Sequence, residues 1–156
     1  LLGEMTRMTH SNGVRVVRIF GPENTYNRGG TIAFDIYDMS DEFVCDLIVE
    51  NLAMQKNISI RAGCFCNPGA SEAVFGAFLP SDTSELPDEL TKAMVRRMAA
   101  KVGAVRVSVG YSTNFADVYT FVQFLRNTFV DHTVAKLENL RNGGGSCNGS
   151  VSCGKK

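Results

Sequence analysis

The chain has 156 residues, and its 16 basic side chains balance 16 acidic ones, so its formal charge at neutral pH is zero. That balance argues against a dedicated nucleic-acid or membrane-surface binder, which would need a basic excess. With 44 % hydrophobic and 21 % charged residues and no apolar run of membrane-span length, it suits one globular domain large enough to bury a core without staples.

Residues 1–9 read as the end of a helix, stopped by Ser11-Asn12-Gly13. Residues 14–20 and 31–36 are β-branched and partly alternating, which predicts two strands joined by the glycine-bounded loop 21–30. Ser40, followed by Asp41 and Glu42, predicts a helix start with acids where the dipole favours them. Phe43, Val44, Leu47, Ile48 and Leu52 then fall at helical spacing, and Asn57 ends the run. Cys45, beside that stripe, reads as a small buried hydrophobe.

Ile58-Ser59-Ile60-Arg61 predicts a short strand that delivers the chain into Gly63-Cys64-Phe65-Cys66-Asn67-Pro68-Gly69-Ala70. Residues 71–79 predict a helix leaving that turn, and Pro80 terminates it. Pro87 takes a favoured first-turn position in a helix reaching Lys101, with Leu90, Met94, Val95 and Met98 on one face. Residues 104–109 predict another strand. Asn114 caps a helix whose Val118, Phe121, Val122, Leu125 and Phe129 form the strongest apolar stripe in the chain. Beyond Arg141 the Gly/Ser-rich sequence lacks the apolar content to order itself. The order β-β-α-β-α-α-β-α predicts an α+β fold: a small, mostly antiparallel sheet covered by helices on one face. The expected division is a domain over residues 1–132, then a helix extension and disordered tail over 133–156.

Five cysteines, an odd number scattered over a helix, a turn and a tail, give no secreted disulfide framework, so a reducing cytoplasm is expected. The first residues lack the order of a signal peptide, and without an initiator methionine the sequence reads as a fragment.

The chemistry concentrates at residues 61–70. A thiol is a nucleophile only as the thiolate, which a nearby guanidinium or a helix N-terminus favours. Arg61 supplies such a charge, and Gly63, Gly69 and Asn67-Pro68 describe an exposed loop. A zinc site is not expected, because the Cys64–Cys66 spacing is shorter than the usual knuckle and no second ligand pair lies near. Arg106 alternates with Val105 and Val107 and so faces away from them; a solvated arginine and a carboxylate ligand both fit. His10 and His132, near element ends, read as surface or capping residues.

Ser11-Asn12-Gly13 through Phe20-Gly21-Pro22, the strand from Thr31, the helix from Asp41, Ile58-Ser59-Ile60-Arg61-Ala62-Gly63 with a cysteine three residues on, and Val105-Arg106-Val107-Ser108 before a closing helix together resemble a known pattern. It is that of the C-terminal small domain of class V aminotransferase-fold enzymes, which include the cysteine desulfurases. The block Gly63-Cys64-Phe65-Cys66-Asn67-Pro68-Gly69-Ala70 is similar to the molybdenum cofactor sulfurase branch. The resemblance implies that Cys66 receives sulfur from L-cysteine as a persulfide, that Arg106 anchors the substrate carboxylate, and that Arg61 lies near the same pocket.

It also implies pyridoxal phosphate as cofactor, bound mainly by a large domain outside this chain, since Lys56, Lys92, Lys101 and Lys136 do not match the family's lysine motif. A homodimer is implied for the full-length enzyme, and little activity for the isolated chain. Two alternatives stay open: an aminotransferase or lyase acting on another amino acid, and a freestanding sulfur-relay module without cofactor. The final sulfur acceptor is not implied.

Overall fold

A computed structural model describes residues 1–63 and 103–142. The expected helices over 71–79 and 87–101, the cysteines at 64 and 66, and the Gly/Ser-rich tail lie outside the described residues. Chain order runs α1 (Leu2–Thr6), β1 (Val17–Phe20), β2 (Thr31–Tyr37), β3 (Phe43–Val44), α2 (Asp46–Met54), β4 (Arg61–Gly63), β5 (Ala104–Ser108), α3 (Phe115–Phe129) and α4 (Val134–Asn142).

The strands form one sheet in the order β1-β2-β5-β4, with β3 also on β2, and every pairing is antiparallel. This is the expected α+β class, a small antiparallel sheet flanked by helices. Strand β2 organises it: Val17 lies opposite Ile36 on β1, and Ile32 opposite Val107 on β5. Successive side chains point to opposite faces, so Ile32, Phe34 and Ile36 enter the core while Thr31, Ala33, Asp35 and Tyr37 take the other side. Phe34 meets Phe121 of α3 edge-on at 6.3 Å between centroids; Phe121, Val122, Leu125 and Phe129 are buried as their spacing predicts, Val118 is only half-buried, and Phe124 is buried in addition.

Asn114 caps α3 as expected. Its Oδ1 accepts from Asp117 N–H at 3.1 Å, while Asp117 Oδ2 accepts from Asn114 N–H at 2.9 Å. The start of α2 differs from expectation. Asp41 has φ +61°, Phe43 and Val44 pair with β2, and the helix begins only at Asp46. The cause is Asp38, whose Oδ1 accepts from Ser40 N–H at 2.7 Å and Glu42 N–H at 3.0 Å, shaping a turn where the acids suggested a helix. Val44, Ile48 and Leu52 are buried as expected, but Leu47 is exposed and Val49 takes its place in the core. Cys45, just before α2, is buried, and it is disulfide-bonded rather than the packing thiol expected.

The polar groups that fix the ends of the fold were not foreseen. Asp38 Oδ2 also accepts from Val134 N–H at 3.0 Å, so one buried carboxylate joins the end of β2 to the start of α4, whose Leu137 is fully buried. His10, read as a surface or capping residue, is buried. Its Nδ1 accepts from Asp131 N–H at 2.9 Å, which leaves Nε2 to donate to the Tyr37 carbonyl at 3.0 Å and so specifies the neutral ring. Asp131 Oδ1 accepts from Ser11 N–H at 2.8 Å, and Glu4 of α1 pairs with Arg126 of α3 at 2.6 Å.

Asp38→Ala strands three amide donors, so we expect a loss of about 2–4 kcal/mol in urea unfolding, with a smaller loss for Asp38→Asn, which keeps an acceptor oxygen. Equal stability of the two variants would contradict this account.

Candidate functional site

The face of the sheet opposite the core carries the predicted substrate residues. Arg61 of β4 lies directly opposite Arg106 of β5, and Arg106 lies opposite Ala33 of β2. Opposed residues share a face, with Cβ atoms about 4.5–5.5 Å apart, so both arginines and Ala33 stem from one face of neighbouring strands. Arg61 is exposed and Arg106 half-buried. Like charges placed opposite one another destabilise a strand pair, and the planar fork of arginine suits bidentate recognition of a carboxylate.

Further residues of this face are acidic and aromatic. Asp35 of β2, only 5 % exposed, lies opposite Arg18 of β1. Arg18 stacks 3.7 Å over the Tyr37 ring and pairs with Asp41. Burial, with the Asp35 charge second, pushes the Tyr37 hydroxyl above its ordinary value, and Arg18 offsets part of that rise. Sequence reasoning passed over Asp35, although the alternation that placed Arg106 on this side places Asp35 there too. Thr31 and Ser108 close the row beyond, Oγ to Oγ at 3.1 Å.

Strand β4 is an edge strand of three residues, and α2 holds it in place. Glu50 Oε1 accepts from Ala62 N–H at 3.3 Å. One turn earlier, Asp46 is 7 % exposed and packs against Gly103, where an added Cβ would stand 2.2 Å from its Oδ2. Burial holds the Asp46 carboxyl above the usual carboxylate range, and the N–H groups of Leu47 and Gly63 draw it part of the way back. Arg61 and Arg106 are thus brought together, whereas Cys66 lies outside the described residues. No cluster of three or more His, Cys, Asp or Glu fit to hold a metal occurs among the described residues.

Lys56 follows α2 and Lys136 lies on α4; both are exposed, and neither stands on the arginine face. Among the described residues, therefore, no amine is placed to engage an aldehyde cofactor beside the arginines. Among the described residues this face offers guanidinium donors that suit a carboxylate and no amine for pyridoxal phosphate.

Comparison with known proteins bears on what this face serves. A protein named molybdenum cofactor sulfurase from Drosophila mojavensis is 32 % identical over 142 residues, covering 81 % of this chain and 17 % of the relative. The chain is homologous to a stretch of the molybdenum cofactor sulfurases. The Arabidopsis thaliana sulfurase is 32 % identical over 136 residues, covering 81 % of this chain and 16 % of the relative. That of Aspergillus clavatus is 29 % identical over 157 residues, covering 90 % and 17 %. A match over four-fifths of the chain spans its middle. The chain spans about one-sixth of the length of the sulfurases it matches. No family model and no solved structure matches it.

The raised Asp46 carboxyl sets a pH dependence. Because its pKa is higher folded than unfolded, the folded state binds more protons between the two values. Its contribution to stability is full below the ordinary aspartate range and is lost as pH rises through the raised value. Urea unfolding between about pH 3 and pH 7 should show Asp46→Asn gaining stability relative to the unsubstituted chain as pH rises. A difference that stays constant over that range would refute the assignment.

Proposed function

We propose that this chain is the part of a pyridoxal-phosphate-dependent sulfurase that accepts sulfur from L-cysteine on Cys66 while Arg106 and Arg61 hold the substrate's carboxylate. The observation that carries this reading is the direct opposition of the two arginines on one face of β4 and β5, three residues before Cys64 along the chain. The homology to sulfurases supports reading that face as a substrate site.

The division of labour follows from the residues. Two guanidinium forks fix the carboxylate and with it the orientation of the amino acid, which lowers the entropy cost of bringing sulfur to a thiolate. The Cys66 thiolate attacks the substrate sulfur, forming an S–S bond as the C–S bond breaks; alanine leaves and a persulfide remains on the chain. Pyridoxal phosphate belongs to this reading as the electron sink for C–S cleavage, and its binding is assigned to another part of a longer protein. A homodimer and a cytoplasmic setting belong to the same reading; no helix among the described residues is long and apolar enough to cross a membrane.

The test uses the full-length enzyme, incubated with L-cysteine, alkylated and mapped by mass spectrometry. Cys66→Ala should abolish the persulfide, and a persulfide that survives the substitution rejects the assignment. Arg106→Lys should raise KM for L-cysteine by roughly tenfold or more, since a point charge replaces a bidentate fork. An unchanged KM would remove Arg106 from the site.

A further inference from the structure

Three segments far apart in the chain meet at one imidazole. The His10 side chain is fully buried; its Nδ1 accepts from Asp131 N–H at 2.9 Å, and its Nε2 donates to the Tyr37 carbonyl at 3.0 Å. His10 lies between α1 and β1, Tyr37 ends β2, and Asp131 stands in the connection between α3 and α4. The ring thus ties the junction of the last two helices to the sheet.

This arrangement accepts one protonation state. An imidazolium carries hydrogens on both nitrogens, so a proton at Nδ1 would face the hydrogen that Asp131 already points there. The Asp131 N–H would have to leave, and a buried amide without an acceptor is costly. States in which the ring is released bind a proton that the fastened state does not, so falling pH favours release and rising pH favours fastening.

A partner for the charged ring stands within reach. Asp131 Oδ1 is 3.9 Å from His10 Nδ1 and accepts from Ser11 N–H at 2.8 Å. The Ser11 donors hold the Asp131 carboxyl below the usual carboxylate range, so it is charged wherever an imidazole titrates. Asp131 also has φ +58°, a left-handed backbone that a residue with a Cβ keeps only when its surroundings hold it. Its N–H on His10 and its carboxylate on Ser11 supply that hold.

The other charged groups of the surrounding elements are engaged with different partners. Asp38, next to Tyr37, accepts from the N–H groups of Ser40, Glu42 and Val134. Nδ1 of His132 meets the Thr128 carbonyl at 2.7 Å. Glu4 of α1 pairs with Arg7 and with Arg126 of α3, and Arg18 of β1 pairs with Asp41. Asp131 is therefore the group that answers a proton on His10.

We propose that His10 is a proton-operated latch: as the neutral ring it fastens the α3–α4 connection to β2, and as the charged ring it releases the Asp131 backbone and takes the Asp131 carboxylate instead. The latch does not depend on the sulfur chemistry proposed above.

The test follows the full chain by NMR between about pH 8 and pH 5, a range that brackets imidazole titration. Two curves are recorded: the ring shifts of His10, and the protection of the Asp131 amide from hydrogen exchange, corrected for the intrinsic effect of pH. Protection should fall about tenfold on acidification, the equivalent of one lost hydrogen bond, with the same midpoint as the His10 ring. His10→Gln, whose uncharged amide keeps one acceptor and one donor, should hold protection constant across the range. Asp131→Asn keeps the N–H and an acceptor for Ser11 but removes the charge, and should move the His10 midpoint to lower pH. His132→Gln should leave both curves in place.

A His10 ring that stays neutral throughout, protection that is unchanged while the ring titrates, or an equal fall in His10→Gln would each overturn the latch. Curves displaced by His132→Gln would assign the proton to the other histidine and reject it too, and a midpoint unmoved by Asp131→Asn would remove the exchange of partners. Should His10→Gln fail to fold, the two midpoints in the unsubstituted chain, together with the Asp131→Asn shift, decide the matter.

Discussion

The pairing register of β2 is the constraint on which the rest of the structure depends. This strand has neighbours on both sides, and its alternation sends Ile32, Phe34 and Ile36 into the core and Ala33 and Asp35 to the opposite side. A slip of one residue would exchange the two sets, placing Asp35 against Phe121 and turning the apolar row to the other side. The same register passes through β5 to β4, so the apolar burial of β2 decides where Arg106 and Arg61 stand. The candidate site is thus held by the hydrophobic core without touching it.

Around that sheet, carboxylates do work that apolar packing cannot. Asp38 gathers amides from two chain segments, Glu50 holds the edge strand to α2, and Asp117 completes the cap of α3. Each accepts from backbone N–H groups that would otherwise be unsatisfied. On the sheet's other side Arg61 and Arg106 are adjacent, and one strand beyond β2 Arg18 stands opposite Asp35.

Much of the fold was legible from the chain itself. Strand β5, the cap at Asn114 and the stripe on α3 follow from alternation, capping chemistry and helical spacing, which are local signals strong enough to survive tertiary packing. The site was half legible, since alternation placed Arg106 away from the core but gave no hint that Arg61 would stand opposite it. That pairing depends on β5 returning to β4 after a long excursion, and no local pattern encodes it. The misplaced start of α2 has a similar cause. Asp41 and Glu42 read as first-turn acids, but Asp38, held in place by the distant Val134, had already claimed the local amides. His10 was misread for the same reason, its partner Asp131 lying 121 positions away.

These distant partnerships bear on how the molecule is made. Glu4 waits for Arg126, Ser11 and His10 for Asp131, and Asp38 for Val134, so the earliest part of the domain to leave a ribosome finds its polar partners only when the last part emerges. Vectorial synthesis therefore cannot complete this domain from its leading end. The nascent β1–β2 hairpin must persist with its acids hydrated until the closing helices arrive, which makes slow, late-locking assembly a property of the topology.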